Sequence, residues 1–480
     1  MRKWLIGGGV ILALALAGFF GIAPVLIDRS MNRVIPVPIR VTPQARALHR
    51  TLAIADMHAD TLLWRRDLLD RASRGQVDLP RLQAGNVALQ VFSSVTKTPK
   101  HQNYDANGAD TDNITLLAIA QMQPPRTWGS LLQRSLWHAE KLDRAAAASG
   151  GQLRLVRAPA DVDRLLADRK AWTQCYGDHC LTAAPVGAML SIEGLQDLEG
   201  RLDNLDRLYA AGFRMAGMAH FFDNDVAGSM HGIAKGGLTP FGRQVIAAME
   251  AKGMIVDVAH ASHAAVADIL RVARRPVVSS HGGVQATCRV NRNLTDAEIK
   301  GIAATGGVVG IGYWDAAVCA TDPAAVARAI AHVRDLVGVD HVGLGSDFDG
   351  AVTTGFDTSQ LVGITQALLD RGFTPDEIAK VMGATCCGSC ETVLRPLLLR
   401  GRHGPRARMT WSGWTAARRC RRIWPGGSSR SAISMAFTSG TRRWSGRRSR
   451  GLGPRGGRRW SRPSIRTPSA TSAPTRRPFA

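Results

Sequence analysis

Along the chain, short apolar runs alternate with longer stretches whose apolar residues recur at helical spacing, and the alternation begins near residue 45. Eight of the short runs read as strands: 53–58, 87–93, 188–193, 214–220, 254–260, 276–281, 307–313 and 342–347. Val-Ala-Leu-Gln-Val-Phe-Ser at 87–93 and Met-Ile-Val-Asp-Val-Ala-His at 254–260 are nearly continuous in apolar character. Such runs are expected of parallel strands buried on both faces. The stretches between them carry helix punctuation. Residues 241–252 have helical apolar spacing and stop at Gly253. Thr295-Asp296-Ala297-Glu298 is a capping box, and Thr374-Pro375-Asp376-Glu377 is a second with Pro at the first helical position. Strand and helix alternating eight times over roughly 340 residues predict an α/β fold, a (β/α)8 barrel of the TIM type. The long segment 95–187 is then an insertion between the second and third strands, expected to be mostly helical.

The pattern changes at both ends. Residues 4–27 are an uncharged, mostly apolar run, preceded by Arg2 and Lys3 and ended by Asp28 and Arg29. The run is long enough to span ~30 Å of hydrocarbon. Basic residues in front of it keep the N-terminus in the cytoplasm. No convincing small-x-small cleavage site precedes Asp28, so residues 1–29 read as an uncleaved signal anchor in the inner membrane, with lipid as its partner. A cleaved signal peptide would also export the body. Residues 30–44, containing Pro, read as a linker, and 45–384 as the barrel.

Charge alters the picture at the other end. The net charge is +23, a value that suggests nucleic acid, but residues 401–480 contain twenty Arg and no Lys, Asp or Glu. The first 400 residues therefore carry only +3, and no nucleic-acid partner is expected for the body. From 385 onward the Arg-, Ser-, Gly- and Pro-rich sequence lacks apolar periodicity and is expected to be a disordered tail. Scattered Trp without acidic residues suggests a shifted reading frame, and reading the codons of 384–391 two bases on allows an apolar helix. Cys175 and Cys180 flank Tyr-Gly-Asp-His and are suited to a small disulfide loop outside the cytoplasm, or to free thiols.

The chemistry lies at the strand ends. His58 and Asp60 close the first strand and, being two apart, point to the same side. Glu193 closes the third strand, His220 the fourth, His260 the fifth, His281 the sixth and Asp347 the eighth. In a (β/α)8 barrel these ends converge on one mouth. Imidazoles and carboxylates together suit a divalent cation such as zinc. The set exceeds what one ion needs, and a two-metal site requires a bridging carboxylate, for which Glu193 beside Gly194 is placed. Asp223, Asn224 and Asp349 read as supporting residues, His231 as a loop residue at the barrel mouth, and His138, His179, His263 and His332 as surface.

The stretches 56–60, 191–194, 218–224, 257–262, 280–281, 292–293 and 345–350, in this order and spacing, resemble the membrane (renal-type) dipeptidase family of zinc metallopeptidases. The resemblance spans about residues 50–383. It implies a (β/α)8 barrel with a dinuclear site at its C-terminal mouth. One zinc would be held by His58, Asp60 and Glu193, and a second by Glu193, His260 and His281. It further implies that His220 contacts substrate and steadies the oxyanion, that Arg292 grips the substrate carboxylate, and that Asp347 carries the proton. Tyr313 is a weaker candidate for the same carboxylate. The implied reaction is hydrolysis of dipeptides by a metal-bridging hydroxide, and a homodimer is compatible with it. Three rivals stand beside this reading. One is another barrel metallohydrolase of the amidohydrolase or deaminase type, although those favour His-x-His where this chain has His58-Ala59-Asp60. Another is a protein binding nucleic acid or membrane through its basic tail. The last is a barrel that binds metal without activity.

Overall fold

A computed structural model describes residues 2–173 and 183–383, all within the unit Met1–Pro405. Nine strands are present among them: β1 (Ile54–Ala59), β2 (Val87–Val95), β3 (Leu153–Leu155), β4 (Val186–Glu193), β5 (Phe213–Gly217), β6 (Ile255–Asp257), β7 (Val277–Val278), β8 (Val309–Ile311) and β9 (Val342–Leu344). Every residue of β1, β2 and β4 is buried, as their continuous apolar character requires. Eight strands pair in the order β7-β6-β5-β4-β2-β1-β9-β8, all parallel. The two ends approach at Ser279 and Val309. There Ser279 N donates to Val308 O (3.0 Å) and Gly310 N to Ser279 O (2.8 Å). The result is the nearly closed eight-stranded barrel that the alternation predicts.

β3 is the addition. It pairs with the start of β4, Leu153 opposite Val186 and Leu155 opposite Ala188, while β5 pairs with β4 farther along. Three residues are too few to show a strand period in the sequence. Among its described residues the insertion also holds helices Ile114–Ala120, Leu131–Ala148 and Pro159–Thr173. Helix boundaries follow local chemistry. Both capping boxes form, at Thr295 with Glu298 and at Thr374 with Glu377. Helix Pro240–Lys252 stops where Gly253 takes a φ of 74°.

Several strands are shorter than their apolar runs. β5, β6, β7 and β9 end three residues before His220, His260, His281 and Asp347. His260 (φ 64°) and Asp347 (φ 59°) adopt left-handed backbone, which cannot continue a ladder. These side chains therefore leave the barrel on loops, whereas His58 and Glu193 stay within strands.

The N-terminal run forms one helix, Lys3–Met31, 29 residues long, with a π-helical turn at Gly18–Ile22. By length and composition it is sufficient to cross a membrane. Its last turns dock on the barrel. Asp28 is buried, with Arg74 Nε donating to Oδ2 (2.8 Å) and Arg66 Nε 3.1 Å from the same oxygen. The linker is strapped down as well: Ile35 N donates to Thr354 O (2.8 Å) and Val37 N to Gly355 O (3.0 Å). A disulfide joins Cys288 to Cys319, a pairing the sequence reading did not foresee across 31 residues. Cys175, Cys180, His179 and the Arg-rich stretch from 385 lie outside the described residues.

Candidate metal centre at the barrel mouth

Two buried aspartates set the mouth. Asp56 Oδ1 on β1 accepts from His58 N (3.1 Å) and from Ser346 N (3.1 Å), tying the loop after β9 to β1. Asp257 Oδ1 on β6 accepts from Ala259 N (3.0 Å) and Ser280 N (2.8 Å), tying the loop after β7 to β6. Asp56 thus fixes the loop that carries Asp347 against the strand that carries His58, and Asp257 fixes the two loops that carry His260 and His281. Both lie in the stretches 56–60 and 257–262, but nothing in their residue type announces this role. Gly350 is required by crowding: a Cβ there would lie 2.1 Å from Asp347 Oδ1 and 2.8 Å from Asp60 Oδ2. Gly194 takes a φ of 84°, which turns the chain sharply after Glu193.

All five expected ligands meet. Glu193 Oε1 lies 2.9 Å from His260 Nε2, 3.4 Å from His281 Nε2 and 3.5 Å from His220 Nε2. Its other oxygen, Oε2, lies 3.7 Å from His58 Nε2, which is 3.3 Å from Asp60 Oδ1 and 4.0 Å from Asp347 Oδ1. Glu193 therefore stands between two groups of donors. Three sets have donor atoms all within 4.8 Å of one another: His58, Glu193 and His281; Glu193, His220 and His260; and His58, Asp60 and Asp347. Their membership cuts across the two ligand sets implied by the family resemblance, and His220 and Asp347 enter it as well. Outer partners orient the rings. Ser280 Oγ is 2.9 Å from His281 Nδ1, and Lys97 O is 3.3 Å from His220 Nδ1, which sets the His220 ring with Nε2 toward Glu193.

The electrostatics call for cations. Burial, reinforced by the Glu193 charge, pushes the Asp60 carboxyl up to about 7. Burial with the nearby Asp60 and Glu193 carboxylates holds Asp347 well above the usual range. Burial raises the cost of ionised Glu193, but the surrounding histidines hold it well below that range. Burial and the Arg292 charge keep His260 neutral, and burial and His58 keep His281 neutral, as metal-ligating imidazoles must be. His58 Nε2, Asp60 Oδ1 and Glu193 Oε2 are buried without any hydrogen-bond partner. Buried polar atoms are normally paired, so converging unpaired lone pairs fit divalent metal ions.

Of the five expected ligands, Asp60, Glu193 and His260 open into a cavity of 480 Å³, lined also by Arg292, Asp347, His220, Tyr104 and Trp314. Arg292 is buried, its Nη2 donating to His281 O (3.0 Å) and its guanidinium 5.7 Å from the Trp314 ring centre. Tyr313 is elsewhere. It is fully buried between Phe348 and Phe356, with its hydroxyl 3.4 Å from Asp56 Oδ2, and does not line the cavity. The expectation that it meets a substrate carboxylate is corrected: next-door Trp314 faces the cleft, since successive side chains alternate. Tyr104, on the insertion, is the cleft residue sequence reasoning missed; its hydroxyl accepts from Trp314 Nε1 at 3.2 Å. A lone Tyr in a polar loop carries no signal of its own.

The supporting residues separate clearly. Asp349 is buried and accepts from Thr61 Oγ1 and Gln76 N, both at 2.8 Å. Asp223 and Asn224 accept backbone N–H groups from the loop 226–234 behind His220. His231 is buried at the mouth, its ring stacked on Phe221. His138, expected at the surface, is instead buried, its Nδ1 2.8 Å from Ser94 Oγ. His263 and His332 pair with Glu298 and Asp296 near the surface.

Comparison with known proteins agrees with this geometry. A family model described as membrane dipeptidase, peptidase family M19, matches residues 42–387. Dipeptidase aclJ of Aspergillus oryzae is 30% identical over 380 residues, covering 74% of this chain and 82% of that protein. Dipeptidase tcpJ of Claviceps purpurea is 28% identical over 323 residues, covering 64% of this chain and 67% of its own length. Among solved structures, a metallo peptidase from Rhodobacter sphaeroides liganded with a phosphinate mimic of L-Ala-D-Ala aligns with a TM-score of 0.56 at 23% identity. It covers 72% of this chain and 98% of that one. The probable dipeptidase PvdM from Pseudomonas aeruginosa aligns with a TM-score of 0.58 at 20% identity, covering 71% and 95%. These structural likenesses concern the fold.

Proposed function

The chain belongs to the membrane dipeptidase family, peptidase family M19, and is a metallodipeptidase; from that premise we propose that it hydrolyses dipeptides bearing a free C-terminal carboxylate, with two zinc ions at the barrel mouth. The observation that carries the reading is Glu193, whose two carboxylate oxygens face different donors, Oε1 three histidines and Oε2 His58 beside Asp60. Such a carboxylate suits a bridge between two ions. His58 and Asp60 would complete one ion's shell, and His260 and His281 the other's. Bound zinc supplies an activated water at neutral pH and polarises a carbonyl.

The remaining work falls to side chains. Arg292 presents a planar fork in the cleft that matches a carboxylate and favours very short substrates. His220 offers Nε2 toward the centre, where it can steady charge developing on the carbonyl oxygen. Asp347 can take a proton at its carboxylate and deliver it to the leaving amine. The body is read as lying outside the cytoplasm, anchored by Lys3–Met31. The Cys288–Cys319 disulfide supports that reading, since disulfides persist in oxidising compartments. The test is hydrolysis of free against C-terminally amidated dipeptides by the zinc-loaded full chain. The free forms should be cleaved with much higher kcat/KM, and equal cleavage of both would refute the role of Arg292.

A further inference from the structure

The end of the N-terminal helix occupies a place that membrane anchoring alone does not require. Phe19, Ala23, Ile27 and Met31 follow one another at intervals of four and so form one stripe along the helix. All four line the cavity that also holds Glu193, His260, Arg292 and Asp347. Ile114 and Leu117 of helix Ile114–Ala120 line it as well and are buried, so an apolar wall stands opposite the charged one. The helix is fixed there. Arg74 Nε donates to Asp28 Oδ2 (2.8 Å), Arg66 Nε is 3.1 Å from that atom, and Arg65 Nη1 donates to Phe20 O (2.9 Å). Asn32 Nδ2 donates to Asp28 Oδ1 (2.8 Å), and Asn32 Oδ1 accepts from Ala351 N (3.0 Å), on the loop that carries Asp347. A charge as buried as Asp28, paired with two guanidiniums, marks a built junction.

We propose that the barrel-docked end of the N-terminal helix, beyond the part left to enter the membrane, is itself part of the active site, the Phe19–Ile27–Met31 stripe forming an apolar subsite that selects dipeptides with a large hydrophobic side chain. The proposal rests on the dipeptidase reading and adds to it the class of side chain accepted. It also requires the anchor to be retained, because cleavage ahead of Asp28 would remove three of the four residues of the stripe. Phe19, Ile27 and Met31 are each more than a third exposed, as a side-chain subsite open to substrate must be.

The test uses the full chain, zinc-loaded, in detergent micelles. The ratio of kcat/KM for Leu-Leu to that for Ala-Ala is measured in the parent and in Phe19→Ala, Ile27→Ala and Ile27→Trp, with zinc content as the check on folding. A single methylene gained or lost in a hydrophobic pocket changes discrimination by about tenfold or more. Phe19→Ala and Ile27→Ala should therefore lower the ratio about tenfold, and Ile27→Trp, which fills the subsite, should lower it further. Asp28→Asn, which releases the helix, should reproduce the loss at parental zinc content. Ratios within twofold of the parent in all four variants would overturn the subsite while leaving the dipeptidase reading intact. A parent that retains zinc but turns over neither dipeptide would overturn both.

Discussion

Asp349 is the perturbation whose size the structure lets one work out. Its carboxylate accepts from Thr61 Oγ1 (2.8 Å) and Gln76 N (2.8 Å), and Arg66 Nη2 lies 2.8 Å from Oδ2. Asp349→Ala leaves all three without that acceptor in a buried setting. Each neutral donor left unpaired costs about 1–3 kcal/mol. Breaking one side of a buried ion pair costs about 3–5 kcal/mol, and Arg66 keeps Asp28, so the lower figure applies. The sum is about 5–9 kcal/mol for Asp349→Ala. Asp349→Asn keeps an oxygen for one donor but loses the charge, and about half that cost is expected. Activity should fall with it. Asp60 N donates to Phe348 O (2.9 Å), so this loop holds Asp347 against β1, and a displacement of about 1 Å in a catalytic group can cost 10²-fold. The assay is urea unfolding of the detergent-solubilised full chain followed by tryptophan fluorescence. Trp64 is a built-in reporter because its Nε1 donates to Asp349 O (2.7 Å). Unfolding free energies of both variants within about 1 kcal/mol of the parent would refute the additive reasoning.

Other expectations follow from the same geometry. Asp347→Asn should retain zinc and lower kcat by at least 10²-fold with little change in KM, as single-turnover kinetics and metal analysis would show. His49 is buried between Thr365 Oγ1 (2.8 Å) and Gly85 O (3.2 Å), and burial pushes its pKa from 6.5 down to about 4. The unfolded chain therefore takes up a proton that the folded chain refuses. Stability should fall by about 3 kcal/mol as the pH drops from 6.5 to 4, and His49→Gln should flatten that part of the urea-midpoint profile. Deleting 401–480 should leave zinc content and dipeptide turnover unchanged, because the ligands and cleft are all supplied before residue 384; loss of zinc would refute that.

The barrel was legible because parallel strands buried on both faces must be written as apolar runs, and helices between them must be capped. Where the run was too short, as in Leu153–Leu155, no period could show. The converging donors were legible because polar residues at the ends of apolar runs are costly unless used, as at His58, Glu193, His260 and His281. Their neighbours were harder to read. Asp56 and Asp257 look like ordinary acids, and only the fold reveals that Asp56 ties a loop to β1 and Asp257 ties two loops together. Tyr313 and Trp314 differ by one position, and the local backbone decides which of them lines the cleft. Tyr104, the Cys288–Cys319 bridge and the stripe on the N-terminal helix depend on contacts between distant segments, which no local pattern encodes.

The central claim is that Glu193 bridges two metal ions that perform dipeptide hydrolysis. Its most direct test is elemental analysis of the purified full chain, run in parallel with Ala-Ala hydrolysis during zinc titration, for the parent and His281→Ala. The account predicts activity rising until about two zinc ions are bound per chain, with His281→Ala retaining about one and turning over no substrate. Full activity at one zinc or none would contradict it.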